Sequence, residues 1–519
     1  MRVPRRSTRM IAVTLLPHCR ELTATGEGRL LLVLPAKKVY PRVIATPARR
    51  PVPWPPGRAA GGRMRIRSAA LTAAATLAGL FGGALPAAAV PAAAAGGAGA
   101  GAVARGGHGG WSPERRWSPR NDWEPNIAAD PWSPWLYQMT TQYGGPRACR
   151  PRMNHCILFR SSPDRGRTWG RPIVMPRKQC PPGKFCRKAA WQNDPVLAVS
   201  ATGVIYAAWM NQWDVTFAVS RDRGRTWTGL HDFRRALGIS FTDKPWIAIS
   251  PSGKDVYVAF NSSDSYISAS HDYGRTWATP VKTNTGHRYW FAEAGAVAPD
   301  GGVYFAESAE HQDAKGDIRL AVLSSGNGGA SWRTRYVGTS QQQPRCPVAG
   351  CPNDFYGAQI ALAIDPAGTI MAAYVANAAP QAPMRLYEIT SADGGRSWSA
   401  RRDLGAHGSE VGADFPKVAA GPGPGDFGVA WEDDGNGATA WNVWYRATVN
   451  RGATWSRAAR ISDRASGAPY KTAAGFRFPY GDYFGMTVDR HGTSYLTWSE
   501  GHSYIGPGNT WQARNNWPA

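Results

Sequence analysis

One eight-residue pattern, S/T-x-D/N-x-G-x-S/T-W, occurs six times in this 519-residue chain and narrows its possible folds more than any other feature. The copies occupy residues 162–169, 220–227, 270–277, 325–332, 391–398 and 448–455, with spacings of 58, 50, 55, 66 and 57 residues. Such regularity marks a repeat architecture. The residue types are those of a stiff turn. A short Asp or Asn side chain (Asp164, Asp222, Asp272, Asn327, Asp393, Asn450) folds back on backbone N–H groups, Gly accepts positive φ, and Trp anchors the turn. Between the turns the apolar residues alternate or run in short blocks, as in 196–200, 204–210 and 215–219, with a fourth short segment such as 171–175 after the box. No stretch after residue 110 keeps a helical period for three turns. The expectation is an all-β propeller of four-stranded antiparallel blades. Innermost strands open at Glu124, Asp194, Asp243, Glu293, Tyr356, Asp414 and Asp482, which makes seven blades, with six as the alternative. The last unit holds only three candidate strands, ending at 510–514, so residues 111–120 are expected to supply its outer strand and close the ring.

The six boxes resemble the Asp-box (BNR) repeats of the sialidase superfamily, over about residues 121–500. The resemblance implies a propeller in which the boxes are structural. Such boxes also occur in propellers that are not sialidases. In the family, three Arg bind a substrate carboxylate, a Tyr assisted by a Glu is the nucleophile, and an Asp is the acid/base. This chain has no F/Y-R-I-P segment, where the family's first Arg stands. By position, Tyr483 or Tyr480 is the candidate nucleophile, Glu293 its partner, and Asp243 or Asp194 the acid; Arg288, Arg345 and Arg477 lie in connections leading to the channel.

Strand direction gives these residues a common face. If the first strand of each blade descends from one face, the boxes lie on the opposite face. The strand openings then gather Glu124, Asp194, Asp243, Glu293, Tyr356, Asp414 and Asp482 around the channel, with Trp191, Trp246, Tyr289, Trp290, Phe355 and Phe478 nearby. Carboxylates beside aromatic rings suit a sugar, whose hydroxyls need acceptors and whose apolar face stacks. The plainer reading is that each acid accepts backbone N–H groups and holds neighbouring blades together.

Of the formal charge of +24, residues 1–89 carry 15 Lys or Arg against two acids, leaving +11 for the remainder. No later segment has a Lys/Arg run or basic helix that would track phosphates, so nucleic acid is not an expected partner. Met64 to Arg67, an uncharged Ala/Leu/Gly stretch, and Ala87 to Ala89 have the order of a signal peptide, 64–89. Gly82, Gly83 and Pro86 interrupt the apolar part, which argues for export over a membrane anchor. Residues 1–63 then read as a basic Pro/Arg-rich leader with Met64 as the true start, 90–110 as an Ala/Gly-rich linker, and 111–519 as the propeller.

Beyond the leader stand Cys149, Cys156, Cys180, Cys186, Cys346 and Cys351, an even number without a C-x-x-C pair, which points to disulfides and away from zinc. The axial acids could hold Ca²⁺, but no cofactor is required. A secreted monomer acting on, or binding, the terminal residues of extracellular glycans or glycoproteins is the expectation.

Overall fold

The computed structural model describes residues 110–117, 121–143, 149, 155–176, 191–286, 288–311, 317–345, 357–469, 484–500 and 509–515. All lie in the second of two compact units, residues 100–519. The expectations for the leader, signal peptide and most of the linker fall outside the described residues, as do those for Cys180, Cys186, Cys346 and Cys351.

Seven antiparallel sheets follow one another along the chain. In blade 1 the strands A to D are Asn121–Ala129, Leu136–Tyr143, Cys156–Ser162 and Ile173–Val174. Blade 2 comprises Gln192–Val199, Ile205–Asn211, Asp214–Ser220 and Thr228–Asp232. Blades 3, 4, 5 and 6 begin with Asp243–Ile249, Arg288–Val297, Ile360–Ile364 and Ala413–Ala420. In blade 6 a short fifth segment, Ala468–Pro469, also pairs with strand C. Blade 7 takes Gly485–Val488, Ser494–Glu500 and Asn509–Arg514 from the end of the chain, and its outer strand, Arg115–Arg116, from the beginning. Arg115 stands opposite Gln512 and Arg116 opposite Trp511, with a further bridge from Trp111 to Asn515. Each strand A packs on that of the next blade, and blade 7 packs back on blade 1. Seven blades and closure by the two ends agree with the sequence expectation; the closing strand is shorter than the segment proposed for it.

The boxes repeat one hydrogen-bond scheme. In the first, Asp164 Oδ1 accepts from Ser162 Oγ (2.9 Å) and Thr168 N (2.8 Å), Oδ2 accepts from Thr168 Oγ1 (2.6 Å), and Gly166 N donates to Ser162 Oγ (2.8 Å). Asn450 does the same work with an amide, accepting from Thr454 N and donating Nδ2 to Thr454 Oγ1, each at 2.9 Å. The box glycine also brings neighbouring blades together. At Gly274, with φ +77°, a Cβ would sit 2.5 Å from the Phe217 ring of the preceding blade, so both the dihedral and the space require glycine. Trp277 of the same box lies edge-on to Phe217, with centroids 4.8 Å apart.

Candidate functional site

Proline determines where each innermost strand leaves its ladder. In four blades the pairing of strand A with strand B skips two residues, of which the second is Pro: Glu124-Pro125, Asp194-Pro195, Lys244-Pro245 and Phe415-Pro416. Pro has no N–H to give a ladder, so a bulge accommodates it. The residue before it is driven to positive φ: 53° at Glu124, 55° at Asp194, 48° at Lys244 and 53° at Phe415. Non-glycine residues rarely adopt this conformation, and its recurrence around one ring marks a place where side-chain direction has been set at some cost. In blade 4 the ladder skips Glu293 alone.

The bulges correct the alignment of the strand openings. Read by their acids, Asp194 corresponds to Asp243 and Asp414. Read by the proline register, it corresponds to Lys244 and Phe415, while Asp243 and Asp414 stand one residue earlier. The offset is what brings a cation to the site. Lys244 Nζ lies 3.0 Å from Asp194 Oδ1, and the Lys244 N–H donates to Asp243 Oδ1 at 2.8 Å. Asp194 is buried and Asp243 half-buried. Burial and the neighbouring negative charge of Asp194 push the Asp243 carboxyl up to about 7.

Two of the predicted acids serve as pins between blades. Glu124 Oε2 accepts from Asp194 N at 2.9 Å and from Thr141 Oγ1 at 2.5 Å. Glu293 Oε2 accepts from Ile360 N of blade 5, and Oε1 from Ser308 Oγ at 2.7 Å. Burial raises Glu293 to about 7 even so. Asp414 is buried, accepts from Phe415 N at 2.9 Å and is raised well above the ordinary carboxylate range by burial.

Other predicted binders are placed differently from a ligand clamp. Arg288 is held by Asp317 Oδ1 at 2.9 Å and by the carbonyls of Ala309 and Asp317. Trp290 is 1% exposed and offers no ring face to a sugar, because its strand turns that side chain between blades. Arg345 is exposed, and its N–H donates to Gln381 Oε1. Trp191 belongs to a row of rings: Tyr143 stacks on His155 (4.9 Å), His155 lies tilted against Trp191 (5.8 Å), and Trp191 meets the exposed Trp213 edge-on (5.2 Å). Tyr143 Oη donates to Glu124 Oε1 at 3.0 Å, which ties this row to the axis. Tyr356, Arg477, Tyr480, Asp482 and Tyr483 lie outside the described residues, as do Phe355 and Phe478.

Sequence reasoning missed the second strands. Glu307 and Glu432 stand beside the strand A acids, opposite Ala292 and Asp414, and Glu500 ends strand B of blade 7. Glu307 has no measurable exposure, accepts from Ser265 Oγ at 2.9 Å, and is raised to about 8 by burial. Burial, then the charges of Glu500 and Asp414, raise Glu432 strongly. A signal existed: Trp209-Met-Asn, Trp431-Glu-Asp and Trp498-Ser-Glu put polar residues just after a buried Trp at the end of strand B. Among the described residues, no three of His, Cys, Asp and Glu are arranged to hold a metal ion, and no helix is long and apolar enough to cross a membrane. Cys149 and Cys156 form a disulfide.

A family model described as a BNR repeat-like domain matches residues 102–345. The chain is similar to BNR repeat-like domains over that span, which holds the first four of its six boxes. No curated protein matches its sequence. Among solved structures, the chain is similar to a Dyadobacter fermentans protein of unknown function, at 14% identity and TM-score 0.44 over 78% of this chain and 98% of that one. It is also similar to a sialidase from Streptococcus pneumoniae (13%, TM-score 0.40, 76% and 68%) and to an ulvan-degrading polysaccharide lyase (12%, TM-score 0.43, 75% and 94%).

Proposed function

We propose that the protein is an exported glycoside hydrolase of the sialidase type that acts on terminal glycan residues, with Asp243 as its proton donor. The supporting observation is the constellation of Asp194, Asp243 and Lys244 at the mouth of the channel. Two adjacent carboxyls of unequal exposure, one of them paired with a cation, divide into an ionised and a protonated member. Asp243, the less buried of the two, would be the protonated member that meets the substrate. It would protonate the leaving glycosidic oxygen, while burial and the charge of Asp194 restore its proton between turnovers and Lys244 holds Asp194 in place. Tyr483 or Tyr480 remains the proposed nucleophile and Glu293 its proposed partner. The Cys149–Cys156 disulfide fits an oxidising, extracellular compartment.

The test is a panel of chromogenic glycosides with α-sialosides included. Asp243→Asn should lower kcat/KM about 100-fold or more at unchanged melting temperature, and should remove the loss of rate above pH 7. Turnover that survives the substitution would assign the proton donor elsewhere. A second reading, a glycan-binding propeller without catalysis, is favoured by Arg288, whose guanidinium is committed to Asp317 and two carbonyls rather than to a substrate clamp. Absence of turnover on the whole panel, with glycan binding retained, would select it.

A further inference from the structure

One well-defined cavity lies away from the axial acids. It is a groove of about 860 Å³ on the opposite, Asp-box face, between the strand A–B hairpin and box of blade 4 and the box of blade 5. A second hollow of about 230 Å³ continues it, sharing Tyr304, Ser324, Arg333, Gly394 and Arg396. Three guanidiniums line the two: Arg333, Arg335 and Arg396, all exposed. Among the described residues none of the three is paired with a carboxylate. The groove's own acids are turned into their turns. Asp300 Oδ1 accepts from Gly302 N at 2.9 Å, and Asp393 accepts from Ser391 Oγ, Ser397 N and Ser397 Oγ. Tyr304 and Trp332 supply aromatic walls.

The groove sits in a wider field. The sixth position of the box is Arg at 167, 225, 275 and 396, and every one of these is exposed. The fourth position is Arg at 165, 223 and 451, and there the backbone has φ of 58°, 62° and 59°. Glycine would take that conformation without strain, as Gly328 and Gly394 do in the same position. Beside them Trp132 is 63% exposed, with Arg490 5.9 Å above its ring. Among the described residues, buried acids gather at the strand A openings and solvated arginines gather on the Asp-box face.

We propose that the Asp-box face is a second binding surface, seated on the groove between blades 4 and 5, for an acidic polysaccharide. Guanidinium forks match carboxylate and sulfate oxygens in pairs, and the half-buried Trp332 ring offers an apolar surface to a sugar. The disulfide fits an extracellular setting, where acidic polymers are mostly carbohydrate, which favours carbohydrate over nucleic acid. The surface would hold the protein on a polymer while the other mouth works on chain ends; it does not depend on which reaction, if any, occurs there.

The test measures binding of the full chain to immobilised polygalacturonate, dextran sulfate, neutral dextran and a 30-base-pair DNA duplex at about 50 and 200 mM NaCl, where screening differs severalfold. One acidic polysaccharide should bind, more weakly at the higher salt, and neutral dextran should not. Combining Arg333→Ala, Arg335→Ala and Arg396→Ala should weaken that binding at least tenfold, as should Arg225→Ala with Arg275→Ala to a smaller degree. Arg319→Ala, on the outer part of blade 4, should leave it unchanged. Melting temperature checks that each variant folds, and the exposed Arg225/Arg275 pair provides the answer should the triple variant not. Equal binding by wild type and variants would overturn the proposal, because the basic leader would then account for it. Tighter binding of DNA than of either acidic polymer would overturn it too.

Discussion

At the scale of single residues, the box carboxylates and the axial carboxylates show how the same functional group is used in opposite ways. Asp272 lies near the surface, where donors from Thr276 hold it down to about 2. Glu307 lies in the wall of the channel, where lost solvation holds it up at about 8. The box function needs an acceptor rather than a charge, since Asn327 and Asn450 perform it. Asp222→Asn should therefore cost little, whereas Asp222→Ala, which strips acceptors from Ser220 Oγ, Thr226 N and Thr226 Oγ1, should cost about 1 kcal/mol; the urea midpoints of the two variants check this. The box was legible from sequence because all its chemistry falls within eight residues. Asp243 was legible as an acid at a strand opening, but its pairing with Lys244 and Asp194 was not, because the offset created by Pro245 depends on how strand A meets strand B.

At the scale of the element, the two inner strands of the blades carry protons that the unfolded chain would have released. Asp243, Glu293 and Glu307 have folded values of about 7, 7 and 8 against ordinary values near 4. A raised carboxyl favours the folded state while protonated, so its contribution falls as pH rises from about 5 to 8. The melting temperature should be higher at pH 5.5 than at pH 8, and Glu307→Gln should flatten that slope and raise the value at pH 8. A profile that rises from pH 5.5 to 8 would show these acids to be ionised in the fold. Near pH 2 to 4 the sign reverses, as the box carboxylates, Asp272 among them, lose the charge their donors favour. Strand A acids were visible to sequence reasoning through the prolines beside them; Glu307 and Glu432 were not, since strand B has no proline to mark where its end meets the axis. The row from Tyr143 to Trp213 escaped for another reason: its members come from two blades and three connections, and only folding makes them neighbours.

At the scale of the whole molecule, blade count and ring closure were readable because a propeller with three strands in its last blade needs a fourth from somewhere. Trp111 shows what fastens it: the ring is 7% exposed and sits edge-on to Tyr445 of blade 6 at 4.9 Å, while Ser112 N and Trp117 N donate to the carbonyls of Arg514 and Thr510. Trp111→Ala should cost about 3 to 5 kcal/mol, and proteolysis of the variant should begin in blade 7. Cleavage beginning in blades 3 or 4 instead would mean that the ends contribute little to holding the ring.

The pairing of Arg115 with Gln512 also has a consequence in time. A chain made or exported amino end first carries one half of its clasp from the outset and must wait for nearly the whole sequence before the other half arrives. Six blades can form locally during that interval; the seventh cannot. Its assembly is the step of longest loop closure, and until it is complete the unpaired edge strands remain open to other copies of the same chain.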